Sequence, residues 1–102
     1  MKLSEIKKQI VSNFIKFDPE KIILFGSVTR NDWDEDSDVD VIVVYDTDKT
    51  FLNRLKELYT SWDIPKAVDI LAYTPAEYKE MYVNNYFLKN VVDSGEMIYE
   101  RN

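Results

Sequence analysis

Phe25-Gly26-Ser27-Val28-Thr29-Arg30-Asn31-Asp32-Trp33-Asp34-Glu35-Asp36-Ser37-Asp38-Val39-Asp40-Val41-Ile42-Val43-Val44 is the stretch on which the reading of this chain turns. It opens where the apolar run Ile22-Ile23-Leu24-Phe25 stops at Gly-Ser. A short continuous apolar run of that kind predicts a buried strand. The stretch closes on two aspartates, two residues apart, that begin a second apolar run. Val39, Val41 and Val43 on one side, and Ile42 and Val44 on the other, make both faces of that run apolar, so it predicts a central strand. Side chains along a strand alternate between faces, which puts Asp38 and Asp40 together on one face at the strand's start. Between the strands, Val28 to Asn31 reads as a short helical turn.

Working outward, Leu3, Ile6, Ile10, Phe14 and Phe17 recur at steps of three and four, the apolar face of a helix. Asp18-Pro19 ends it. On the other side, Asp46-Thr47-Asp48 offers cap residues for a helix whose apolar positions are Phe51, Leu52, Leu55, Leu58, Tyr59 and Trp62. Ile64-Pro65 breaks that pattern. Ala67 to Tyr73 predicts a third strand, with Asp69 inside it. Thr74-Pro75-Ala76-Glu77 predicts a helix start, with Thr74 as cap and Glu77 completing a capping box. Helical spacing continues to Asp93, with a break near Asn84-Asn85 and a stop at Ser94-Gly95. Met97-Ile98-Tyr99 predicts a short last strand or an extended tail. The order of elements predicts a small α/β (α+β) domain, one unit over residues 1–102, with a mixed sheet flanked by helices.

Composition narrows the chemistry. With 102 residues, 45% of them hydrophobic, the chain can bury one core. It contains no cysteine and no histidine, which excludes disulfides, thiolate metal sites, Ser-His triads and His-ligated zinc. A metal held here must be held by oxygen, favouring Mg²⁺, Mn²⁺ or Ca²⁺. No apolar run approaches a membrane span, and the N-terminal residues lack the apolar stretch of a signal peptide, so a cytoplasmic location is expected. The net charge is −6. Six of the 19 acidic residues fall between Asp32 and Asp40, leaving as many acidic residues elsewhere as the 13 basic ones. The acidic excess is therefore local, and the overall balance argues against broad nucleic-acid binding.

Three groups of residues could carry chemistry. Gly26 at a strand end lets backbone approach a ligand closely, Ser27 adds a hydroxyl, and Arg30 can contact a phosphate. Gly-Ser is also an ordinary turn. Asp38 and Asp40 repel one another unless a cation lies between them, or unless the strand end simply faces solvent. Asp69, flanked by Val68 and Ile70, is costly inside an apolar strand unless paired or metal-bound. If its strand lies beside that of Asp38 and Asp40, three carboxylates converge. An EF-hand is excluded, because no register of the alternating Asp32, Asp34, Asp36, Asp38 and Asp40 supplies Gly at position six and Glu at position twelve. Phe14, Phe17, Phe51, Tyr59 and Trp62 fit helix faces and are assigned to the core. Tyr45, Tyr73, Tyr82 and Tyr86 are available to stack on a base or meet a partner.

Gly26-Ser27, ten residues and then Asp38-Val39-Asp40 resembles the signature of the DNA polymerase β-like nucleotidyltransferase superfamily. The fuller run Gly26-Ser27-Val28-Thr29-Arg30-Asn31 with Asp36-Ser37-Asp38-Val39-Asp40 is similar to the minimal nucleotidyltransferases, or MNT proteins. Val68-Asp69-Ile70 matches their third carboxylate strand. Thr29 stands where the family commonly has Ala, and Asn31 where it has Gly. The resemblance implies a polymerase β palm-like fold and a site in which Asp38, Asp40 and Asp69 bind two Mg²⁺ ions. Gly26, Ser27 and Arg30 would hold the phosphates of ATP or another nucleoside triphosphate. Asp69 would assist deprotonation of an acceptor hydroxyl. The resemblance also implies a partner. MNT proteins pair with HEPN toxins, and the expected activity is transfer of AMP to a tyrosine of such a partner, as antitoxin. Two rivals are a small-molecule nucleotidyltransferase of the aminoglycoside type, which would want an added acceptor-binding domain, and a non-catalytic module that inhibits its partner by contact.

Overall fold

The computed structural model describes residues 2–26 and 37–102. Helix α1 spans Leu3–Phe14 and is followed by a 3-10 turn, Ile15–Phe17. Strand β1 is Lys21–Phe25, β2 is Val39–Val44, and helix α2 is Phe51–Ser61. Strand β3 is Val68–Tyr73, helices α3 and α4 are Pro75–Asn84 and Tyr86–Ser94, and β4 is Glu96–Glu100. The described strands form one sheet in the order β3-β2-β1-β4. β1 runs antiparallel to both β2 and β4, whereas β2 and β3 are parallel. The sheet is mixed, as the sequence predicts, with β2 in its interior.

Helices cover both faces. Ile6, Ile10 and Phe14 of α1 and Leu58 of α2 bury themselves against Ile22 and Leu24 of β1, Val39, Val41 and Val43 of β2, and Ile70 and Ala72 of β3. The opposite face carries Ile23, Ile42 and Val44, covered by Leu88 of α4 with Tyr78 and Met81 of α3 beside it. Each such large apolar side chain stabilises the fold by about 1.5–3 kcal/mol. The two interior strands are apolar on both faces because both faces are covered.

Local signals explain most boundaries. Asp18 takes a left-handed conformation, φ 52°, after the 3-10 turn and ends the first helical segment. Thr74 and Glu77 form the predicted capping box, with Glu77 Oε1 accepting the Thr74 N–H at 2.9 Å and Thr74 Oγ1 accepting the Glu77 N–H at 3.1 Å. Asn85 caps α4 by accepting the Leu88 N–H, which makes the predicted break a start of its own. One reading changes. The cap of α2 is Thr50, whose hydroxyl accepts the Asn53 N–H at 3.3 Å, and not a residue of Asp46-Thr47-Asp48. Gly95 follows the last residue of α4, as predicted, with an extended φ of −87°. Its role is close approach, since an added Cβ would strike the backbone carbonyl of Leu24 and stand 2.9 Å from that of Val91.

Candidate active site

Gly26 closes β1 with φ +76°, a conformation that side chains rarely adopt. A Cβ built there would collide with Oδ2 of Asp40. The glycine is therefore required twice, by its backbone angle and by the carboxylate packed against it. The contact follows from register, because the preceding residue, Phe25, is opposite Asp40 in the β1–β2 ladder.

On its other side Asp40 is paired with Asp69, its register partner in the parallel β2–β3 ladder. Adjacent strands lie about 4.8 Å apart, and register partners project from the same face. Asp38 lies just before β2, in the segment that leads into the strand. Asp38 and Asp69 are exposed and Asp40 is half-buried. The sequence argument that Asp69 is buried among apolar neighbours is thus corrected, because β3 is an edge strand and Asp69 is its second residue. Exposure leaves its charge available. Among the described residues no three carboxylates are gathered closely enough to enclose a cation. The strands instead bring Asp40 and Asp69 to one end of one face, with Asp38 just before β2. All three are hard oxygen donors, the set that suits Mg²⁺ or Mn²⁺. Ser27 and Arg30 lie outside the described residues, as do Asp32, Asp34, Glu35, Asp36 and the helical turn read over Val28 to Asn31.

The residues that hold β3 in place were not visible as such in the sequence. Arg54 of α2 is 7% exposed. It donates from Nε to the Lys49 carbonyl at 2.8 Å and from Nη1 to the Ala72 carbonyl at 3.4 Å. It also pairs with both carboxylate oxygens of Glu77, at 2.6 and 3.2 Å. The hydrogen bond from Arg54, with the Thr74 amide, holds the Glu77 carboxyl below its ordinary pKa. Tyr59, read from sequence as core, is 41% exposed, and its hydroxyl accepts the Ile70 N–H at 2.9 Å. Phe51, also assigned to the core, is 42% exposed. Tyr45 is excluded as a stacking platform, since it is 3% exposed and donates its hydroxyl to Glu57 at 2.8 Å. Burial and that carboxylate push its pKa up. A polar residue on a helix gives no sign in sequence that it will reach a strand edge.

Comparison with known proteins bears on the family and the fold. The family model described as polymerase beta nucleotidyltransferase matches residues 5–102. Three proteins of Methanocaldococcus jannaschii named as protein adenylyltransferases are similar to this chain. One is 33% identical over 93 residues, covering 91% of each chain. A second is 35% identical over 83 residues, covering 78% of each. The third is 32% identical over 74 residues, covering 72% of this chain and 80% of its own. A crystal structure described as a nucleotidyltransferase from Sulfolobus solfataricus superposes with a TM-score of 0.64 over 97% of this chain and 80% of its own, at 20% identity, a likeness of fold. A glycine closed onto a strand-borne aspartate, a second aspartate facing it across a parallel ladder and a family match over nearly the whole length converge: the chain belongs to the polymerase beta nucleotidyltransferase family and is a nucleotidyltransferase.

Proposed function

We propose that the protein transfers AMP from ATP to a hydroxyl of a partner protein, in a Mg²⁺-dependent reaction, and that the acceptor is a tyrosine of a HEPN-type toxin neutralised by this modification. The observation that carries the reading is the Asp40–Asp69 register, which sets two aspartates opposite one another next to a glycine whose missing side chain leaves room for the Asp40 carboxylate. The choice of a protein acceptor rests on the three relatives named as protein adenylyltransferases.

In this mechanism Asp38 and Asp40 hold the cations and Asp69 completes the site. Bound Mg²⁺ supplies neutralisation of the triphosphate and a lowered pKa for the acceptor hydroxyl. The backbone at Gly26, with Ser27 and Arg30, holds the β- and γ-phosphates. The acceptor oxygen attacks the α-phosphorus in line, and its proton passes to the Asp69 carboxylate. The bond from the α-phosphorus to its bridging oxygen breaks, and pyrophosphate leaves. Such chemistry asks for positioning and charge stabilisation and needs no histidine.

The test is to incubate the chain with ATP, Mg²⁺ and a candidate HEPN-type partner protein, and to weigh that protein by intact mass spectrometry. The reading expects a mass gain of whole AMP units, lost when the acceptor tyrosine is changed to Phe. Neutralisation of the toxin without any mass gain overturns it and leaves inhibition by contact.

A further inference from the structure

Asp69 sits on an edge strand, where one side of the backbone has no neighbouring strand among the described residues. The phase of the β2–β3 ladder is set by the Val39 N–H bonded to the Ala67 carbonyl and the Tyr45 N–H bonded to the Tyr73 carbonyl. The odd-numbered positions of β3, Asp69 among them, therefore turn their carbonyls toward β2. The N–H of Ile70 turns outward. That N–H belongs to the peptide unit that joins Asp69 to Ile70, and it is this group that the Tyr59 hydroxyl accepts at 2.9 Å. Two residues further on, Arg54 holds the outward carbonyl of Ala72. Helix α2 thus grips the free edge of β3 at two points, and the first is the peptide of Asp69 itself. The Tyr59 ring is too exposed to be explained by packing alone.

We propose that Tyr59 is a positioning residue for Asp69: by accepting the Ile70 N–H, its hydroxyl fixes the Asp69–Ile70 peptide and with it the place of the Asp69 carboxylate opposite Asp40. The inference rests on the assignment of Asp69 to the cation site. An outer group that orients a metal ligand is typically worth 10–100-fold in metal affinity or activity. Simple protection of a strand edge would require only that the amide find some acceptor, water included, and would leave the carboxylate unaffected.

The experiment is a double-mutant cycle read by Mn²⁺ affinity, from electron paramagnetic resonance titrations of the full chain, with amide hydrogen exchange at Ile70 alongside. Tyr59→Phe removes only the hydroxyl from a partly exposed ring, so the fold should tolerate it. The expected result is faster exchange at Ile70 and roughly tenfold weaker Mn²⁺ binding in Tyr59→Phe, with no further weakening when the change is made in Asp69→Asn. Unchanged Mn²⁺ affinity in Tyr59→Phe, while Asp69→Asn still weakens binding, overturns the inference and leaves the site as assigned. Equal weakening by Tyr59→Phe in both backgrounds also overturns it, since the effect would then not pass through Asp69. If Asp69→Asn itself binds Mn²⁺ like the wild type, the assignment of Asp69 falls, and the inference with it.

Discussion

Asp40 and Asp69 are register partners across a parallel strand pair, although 28 intervening residues include the whole of α2. A parallel pair needs a crossover connection, and here α2 supplies it. The same helix then returns to the sheet and holds the outer edge of β3 through Arg54 and Tyr59. The element that makes the pairing topologically possible therefore also fixes it in place.

Gly26→Ala should damage stability and activity together. Alanine at φ +76° is strained, and its Cβ would displace the Asp40 carboxylate. A loss of about 1–3 kcal/mol is expected from backbone strain of this kind. Urea unfolding should show a lower midpoint with an unchanged slope, and transfer should fall even at temperatures where the variant is fully folded.

Gly95→Ala provides the contrast. Its φ of −87° suits alanine, so the cost is steric, from the carbonyls of Leu24 and Val91. Overpacking of this sort costs about 1–3 kcal/mol. The variant should melt lower but transfer at the wild-type rate when folded, which a thermal scan and an initial-rate assay would separate.

Much of this architecture was legible beforehand. Unbroken apolar runs marked β1 and β2 as interior strands, although β2 begins at Val39, one residue after Asp38. Thr74 and Glu77 announced α3, because a capping box is a local interaction written at fixed spacing. What stayed illegible depends on contacts distant in sequence. That β4 pairs beside β1, that Arg54 reaches Ala72 and Glu77, and that Asp69 is exposed on an edge are consequences of packing. An apolar strand looks the same in sequence whether its two neighbours are a strand and a helix or two strands.

The Arg54–Glu77 pair should give the fold a dependence on acid pH. Because the folded-state pKa of Glu77 is depressed, its ionised form stabilises the fold above the ordinary glutamate range. That contribution is lost as pH falls through the depressed value. Glu77→Gln keeps a capping side chain but removes the charge. The stability gap between wild type and Glu77→Gln should therefore be constant near neutrality and narrow below about pH 4.5, as measured by urea midpoints across pH. Arg54→Met should cost about 2 kcal/mol, since it removes the guanidinium from the Lys49 and Ala72 carbonyls and leaves the Glu77 carboxylate with the Thr74 N–H but without its cation.

Nucleotide with Mg²⁺ should stabilise the protein by mass action. Ligand at a hundredfold excess over its dissociation constant contributes about 2.7 kcal/mol. For a domain of this size each kcal/mol raises Tm by about 4–8 °C. Differential scanning fluorimetry with Mg²⁺ and ATP at that excess should show a rise of about 11–22 °C, absent with EDTA and absent in Asp38→Asn.

The most direct test of the site is the rate of labelled AMP transfer by Asp40→Asn, compared with wild type at a temperature where circular dichroism shows both fully folded. Asparagine keeps the size of the side chain next to Gly26 and removes its charge. Transfer is expected to fall by at least about 10²–10³-fold, the scale set by losing one preorganised electrostatic group. Transfer within a few-fold of wild type would contradict the placement of the active site at the meeting of β1, β2 and β3.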